Sequence, residues 1–441
     1  MAAAAAALSF AAEPEADLKI AEFSGNASVT WGVDLDTGKT GFKNDESAKL
    51  KVNFTNEGTK KTEGEGIWAE LEIKGKSLYA ENGAIKDGTA SVENAKLHFG
   101  PVYLGIRKGD TQVGDFKIPN AVTSSTMGSP KVAGTDHTQG VVLGYSSDLF
   151  GIEADFRSLN AGTNYYTNDY GAAAEATLKF VPGLEIKAGA DYQFNAKALG
   201  VAASEKYTLA LGEKFKLIEG VGFAMSKIDT ADPTMGLAAG VIFGWGDETD
   251  SNAGVPYLDK DPAKKVTPGV GVALYMPLGI ANTFSMGVAP SFYSGDLIPN
   301  LKIGVLGNIS VTTVTVGGTS TTNTGFGVAG GLKYDLKATD SLTISPFAGV
   351  RFAKNNTYLM ADTFKGPFGD KAAATTVDNG GKNDIQAGND NMLMNVKVGA
   401  DVSGLINNTT FSLDWTSRNL MSNNKDNGQV GTINVTCKIA L

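Results

Sequence analysis

Cysteine is nearly absent from this sequence: Cys437 stands alone among 441 residues. One cysteine rules out a disulfide framework and every multi-cysteine zinc site. Histidine is almost as scarce, with only His98 and His137, which leaves little for His-rich metal sites or a Ser–His–Asp triad. Proline, at 14 residues, is too rare for a collagen-like or proline-rich disordered chain. Positive charge is outnumbered, with 38 Lys and Arg against 47 Asp and Glu, for a formal net charge of −9. Such a chain is a poor nucleic-acid binder, because phosphate contacts need clustered Lys and Arg. No stretch approaches the ~18 continuous apolar residues that a spanning helix needs. If the chain crosses a membrane it does so as a β-barrel, the only other spanning structure that satisfies every backbone group.

What the sequence does have is glycine, 55 residues, and a hydrophobic share of 42%. That share suffices for a core, or for coating one face of a long sheet. The chain opens MAAAAAALSFAA and turns acidic at Glu13-Pro14-Glu15. An apolar run followed by small residues resembles the second half of a secretory signal peptide, here without its basic start. Residues 1–12 are therefore expected to be a partial signal peptide cleaved near Ala12. Residues 13–26 form a short N-terminal segment, and 27–441 form the body of the protein.

Alternation dominates that body. Val29, Trp31, Val33 and Leu35 take every second place, as do Ala48, Leu50, Val52 and Phe54. Ile67, Ala69, Leu71 and Ile73 alternate with charges, and Leu184 to Phe194 does so over a longer run. The same holds for 237–245, 392–402 and the last residues, Ile433 to Leu441. Successive strand residues point to opposite faces, so these runs have one apolar and one polar face. About twenty such segments occur, many of roughly 9–11 residues, the length of a tilted membrane-spanning strand. Globular strands average only ~5–6 residues. Val181-Pro182-Gly183 and Leu405-Ile406-Asn407-Asn408 are short links. Residues 107–140, 246–267 and 353–390 read as long loops, and 312–324 (TTVTVGGTSTTNT) as a Ser/Thr/Gly-rich connection.

The fold class follows: all-β, a large antiparallel transmembrane β-barrel of about 16–20 strands with several long extracellular loops. Long strands, the leader and charges of both signs on the polar face favour it over a secreted soluble β-sandwich. Closure also removes sheet edges. Aromatics at run ends (Trp31, Phe99, Phe150, Phe180, Phe194, Trp245, Phe352 and Trp415) fit interfacial girdles.

The stretch Ala27–Phe54, with its Thr30-Trp31-Gly32-Val33-Asp34-Leu35 strand, Thr40-Gly41-Phe42-Lys43-Asn44 turn and Lys49-Leu50-Lys51-Val52 strand, resembles the treponemal major outer sheath protein family, the major surface proteins. The strand Ile67-Trp68-Ala69-Glu70-Leu71 is similar too. The resemblance implies an abundant, surface-exposed outer-membrane protein of a spirochaete with porin activity. It also implies binding of host extracellular matrix proteins as an adhesin or antigen, and a homotrimer. In that family the N-terminal half is alternatively a separate periplasmic or surface domain. Ending on Leu441 departs from the terminal aromatic common to outer-membrane strands.

No enzyme is expected. Gly325-Phe326-Gly327-Val328-Ala329-Gly330 matches G-x-G-x-x-G, but a period-two strand follows it instead of the helix a dinucleotide needs. His98 and His137 lack a spaced second ligand. Glu70 and Glu72 share one strand face and read as lumen charges. Residues 378–391 (DNGGKNDIQAGNDN) lack Ca²⁺-loop spacing. Cys437, in phase with Val435 and Ile439, is expected to face lipid. No cofactor is expected.

The sequence thus reads as a passive channel for ions and small hydrophilic solutes, in contact with outer-membrane lipid. Candidate pore-lining residues are Lys49, Lys51, Glu70, Glu72, Glu185, Lys187, Asp191, Arg351 and Asp401. An inward-folded 107–140 would set the constriction, and the net charge suggests weak cation preference. A surface adhesin on a barrel scaffold is the alternative.

Overall fold

The computed structural model describes residues 21–55, 67–76, 80–81, 84–85, 89–108, 117–118, 122–123, 139–158, 168–245, 268–279, 281–295, 297–354, 392–421 and 430–440. The leader-like start, His137, the stretch 378–391 and Leu441 lie outside them. Among the described residues no helix occurs. Twenty long strands follow one another. They are β1 (Ala21–Asp34), β2 (Thr40–Thr55), β3 (Ile67–Lys76), β4 (Thr89–Phe99) and β5 (Val102–Lys108). Next come β6 (Gln139–Ser146), β7 (Phe150–Ser158), β8 (Tyr170–Leu178), β9 (Leu184–Gln193) and β10 (Ala198–Leu211). Then follow β11 (Phe215–Ile228), β12 (Thr234–Trp245), β13 (Gly269–Leu278), β14 (Thr283–Tyr293) and β15 (Leu301–Val316). The last are β16 (Thr319–Tyr334), β17 (Thr343–Lys354), β18 (Met392–Ser403), β19 (Thr409–Thr416) and β20 (Thr432–Ala440).

Each strand pairs antiparallel with the next, and β1 pairs with β20 from Asn26↔Ala440 to Asp34↔Thr432. The sheet therefore closes on itself and has no free edge among its twenty staves. In hydrocarbon each unpaired backbone group would cost several kcal/mol, so this closure is what lets a sheet cross a bilayer. A line of paired residues carried once round the ring returns to β1 about 24 residues further along. With ordinary strand spacing and rise, that stagger tilts the strands by about 40° and sets a backbone cylinder about 40 Å across. The register slips once, where Glu72 faces Asn94 but Ile73 faces Val92, leaving Glu93 as a bulge.

Alternation sorts the side chains. On β11, Val221 points outward and is 47% exposed, whereas Ala224 points inward and is 0% exposed. Outward positions carry Leu50 and Val52 on β2, Leu104 and Ile106 on β5, Val141 and Leu143 on β6, and Val435, Cys437 and Ile439 on β20. Two aromatic girdles bound this belt. Near one end lie Phe99, Phe180, and the ring pairs Tyr145–Phe150, Phe215–Phe243 and Trp245–Phe292. Near the other lie Trp31, Trp415 and the pairs Phe156–Tyr170 and Tyr192–Phe194. Rings of this kind settle at the polar boundary of a bilayer.

The two ends differ. β1 begins and β20 ends at the same end, where the connections 100–101, 147–149, 179–183 and 212–214 are short. The opposite end holds 109–138 and 355–391. One long connection breaks the rule: 246–268 joins β12 to β13 at the end of the short turns.

The expectation that 312–324 is a loose connection is overturned. β15 and β16 run through it as a ladder down to Val316↔Thr319, leaving Gly317-Gly318 as a two-residue turn. Both glycines have positive φ, 57° and 82°, the requirement of a tight hairpin. Threonine is a good strand former, and here the hydroxyls of Thr313 and Thr322, and of Thr315 and Ser320, bond across the hairpin at 2.9 Å.

Candidate channel lumen

The inner face is where the chemistry gathers. All nine residues singled out from the sequence sit at inward positions, and the register supplies their partners. Lys49 Nζ lies 2.8 Å from Glu72, and Lys51 lies 3.8 Å from Glu70, across the β2–β3 pair. Glu70 also accepts from Asn94 Nδ2 at 2.7 Å. Lys187 lies 3.8 Å from Glu185 on its own strand. Asp401 accepts from Lys333 Nζ at 2.9 Å and from Ser412 Oγ at 2.7 Å. Arg351 is fully buried and donates from Nε and Nη2 to Asn395 Oδ1 at 3.1 and 2.7 Å.

Asp191 belongs to a centre the sequence did not single out. Arg157, on β7, donates to Asp191 at 2.6 Å and its Nε lies 2.7 Å from Asp155 Oδ1, all three buried. The guanidinium reaches β9 by passing over β8 at Gly171, the residue paired with Arg157. Glu153, Asp155 and Arg157 alternate on one face of their strand, a signal present in the sequence, but the partner two strands away follows only from the register. Lys397, 3.8 Å from Asp414 and over the Phe347 ring, was likewise missed.

His98 stands inward and stacks on Trp68, with centroids 3.7 Å apart and planes at 5°. It is a wall residue beside Glu70 and Tyr103, whose hydroxyl donates to Glu153 at 2.6 Å. Among the described residues no group of three His, Cys, Asp or Glu is placed to hold a metal. The glycines of 325–330 lie within β16, away from any helix.

The wall is uneven. Its charges gather on β15 to β20 and on β1 to β11. On β12 to β14 the inner positions are Gly, Ala, Ser, Thr, Ile, Tyr and Pro. Ala238, Ile242, Ala273 and Ala289 are buried there although they face the lumen. The short strand Lys117–Ile118, from the β5–β6 connection, lies beside β11 and β12. β11 and β12 stand six places round the ring from β5 and β6, the strands that this connection joins.

At the end of the long connections, Arg418 ties the ring shut. Its guanidinium meets Asp34 at 2.7 Å and Asp36 at 2.5 Å. Asp36 also accepts the backbone N–H groups of Val430 and Gly431 at 2.8 Å. The first and last staves are thereby joined through the β19–β20 connection.

No protein-family model matches the chain. Among curated proteins it is 27% identical to the major surface protein MspTL of Treponema lecithinolyticum, covering 92% of this chain and 90% of that protein. It is also 27% identical to the major outer membrane protein MspA of Treponema maltophilum, covering 92% and 91%. The resemblance read from the opening strands therefore extends over nearly the whole chain. Among solved structures, Pseudomonas aeruginosa OpdL aligns at a TM-score of 0.46 and 10% identity, over 96% of this chain and 98% of its own. Acinetobacter baumannii OccAB2 aligns at 0.45 and 9%, over 96% and 98%.

Proposed function

We propose that the protein is a surface-exposed outer-membrane channel that passes ions and small hydrophilic solutes. One observation carries the reading: a closed ring of twenty staves whose outer face is apolar and whose inner face is charged. Barrels of 16–18 strands already leave an aqueous channel. The nine inward residues (Lys49, Lys51, Glu70, Glu72, Glu185, Lys187, Asp191, Arg351 and Asp401) line the pore in this reading. In this reading the β5–β6 connection, whose short strand Lys117–Ile118 lies beside β11 and β12, also sets the constriction. The end where β1 begins and β20 ends, opposite the longest connections 109–138 and 355–391, faces the periplasm in this reading, as in other outer-membrane barrels. Reconstituted into a planar bilayer, the purified chain should produce discrete conductance steps; a barrel that inserts without conducting would overturn the reading.

A second role as an adhesin for host matrix proteins has its own support. The β15–β16 hairpin changes its outward residues from Phe326 and Ile309 to Thr313, Thr315, Thr322 and Thr324 towards its tip. A polar outer face there places the tip above the hydrocarbon, on the side of the long connections, where a partner can reach it. Deleting residues 313–322 should abolish matrix binding by whole cells while leaving conductance intact. Assembly as a trimer, implied by the resemblance, is tested by cross-linking in native membranes.

A further inference from the structure

The whole chain is acidic, but the wall of its lumen is not. Counting only described side chains, the inward positions of the staves carry fourteen Lys or Arg and ten Asp or Glu. Fourteen less ten leaves the wall at +4, so a chain of −9 carries −13 everywhere else. The pairs already described are close to neutral as sets, for example Lys49–Glu72, Lys51–Glu70 and Lys333–Asp401. The surplus is lysine. Lys74 on β3, Lys96 on β4 and Lys206 on β10 face inward, and none has a carboxylate within ion-pair distance among the described residues. Lys96 lies over the Tyr103 ring, 4.5 Å from its centroid, a cation–π contact.

A low-dielectric wall focuses the field of such charges into the water it encloses. Fixed charges lining a pore act on every ion that passes, whereas charges on outer connections are screened within about 8 Å at physiological salt. We propose that this channel prefers small anions over cations, against the sign of its net charge, and that Lys74, Lys96 and Lys206 are the residues that set the preference. The solute class this favours is the small inorganic or carboxylate anion. The inference rests on the channel reading, and its test separates the two.

The full chain is placed in a planar bilayer under a tenfold KCl gradient, and the zero-current potential is read. The expected sign is that of chloride permeating faster than potassium. A triple variant, Lys74→Glu with Lys96→Glu and Lys206→Glu, should lower the chloride-to-potassium ratio by at least about twofold. The milder Lys→Gln triple should fall between the two, and heat-modifiable migration in detergent checks that each variant still closes. A wild-type channel that prefers potassium overturns the inference, as does a triple variant that conducts with an unchanged ratio. No conductance at all overturns the channel reading itself.

Discussion

Arg157 on β7 reaches across β8 to donate a 2.6 Å hydrogen bond to Asp191 on β9, passing over Gly171. Two carboxylates and one guanidinium are buried together at that point on the wall. Removing the cation takes the shared guanidinium away from two buried acids, at a cost of about 2–3 kcal/mol. Arg157→Ala should therefore lower stability by that amount in urea unfolding of the refolded barrel, and Arg157→Ala/Asp191→Asn should recover part of it. Placing Leu at Gly171 should weaken the same contact by blocking the crossing.

The Arg418 clasp is the analogous device at the seam. Arg418→Ala releases Asp34 and Asp36, and with them the backbone of Val430 and Gly431. Charge-assisted hydrogen bonds of this kind contribute about 1.5–3 kcal/mol. The variant should lower the temperature at which the heat-modifiable band shifts in detergent, with no change in single-channel conductance.

Glu205 on β10 and Glu219 on β11 point outward, where the neighbouring outward residues are Ala203, Tyr207, Leu217 and Val221. They are diagonal neighbours, since Glu205 faces Val221 and Glu219 faces Tyr207. Glu205 lies midway along its strand, so both sit within the apolar belt. Carboxylates there cost less than Lys or Arg, under about 2 kcal/mol each. Glu205→Leu/Glu219→Leu should stabilise the barrel in equilibrium unfolding from phospholipid vesicles. No gain would mean that something in the membrane compensates the pair.

Gly404, in the β18–β19 turn, has φ +88°, and a Cβ there would drive into the carbonyl of Ser341. Gly404→Ala should cost more than about 1 kcal/mol and slow the appearance of the folded band during refolding.

Much of this fold is written in alternation. The strand Leu184–Gln193 and the closing strand Thr432–Ala440 are legible because apolar residues alternate with polar or charged ones. The same parity places all nine candidate residues at inward positions. What alternation does not encode is which residue faces which. Asp191 meets Arg157 only because β7, β8 and β9 settle in one register, and that register comes from turn lengths and the ring as a whole. The β15–β16 hairpin escaped notice because its tip is polar on both faces, so a strand and a loop look alike there. The position of 246–268 depends on counting every preceding strand, and one missed strand reverses the answer.

The central claim is that one face of each strand meets lipid and the other meets water. It is tested most directly by single cysteines at positions 48 to 52 on β2, in a Cys437→Ser background reconstituted into vesicles. A charged, membrane-impermeant thiol reagent should label positions 49 and 51. Fluorophores at 48, 50 and 52 should instead be quenched by lipid-borne nitroxides. Labelling without a two-residue period, or with its phase reversed, would contradict the account.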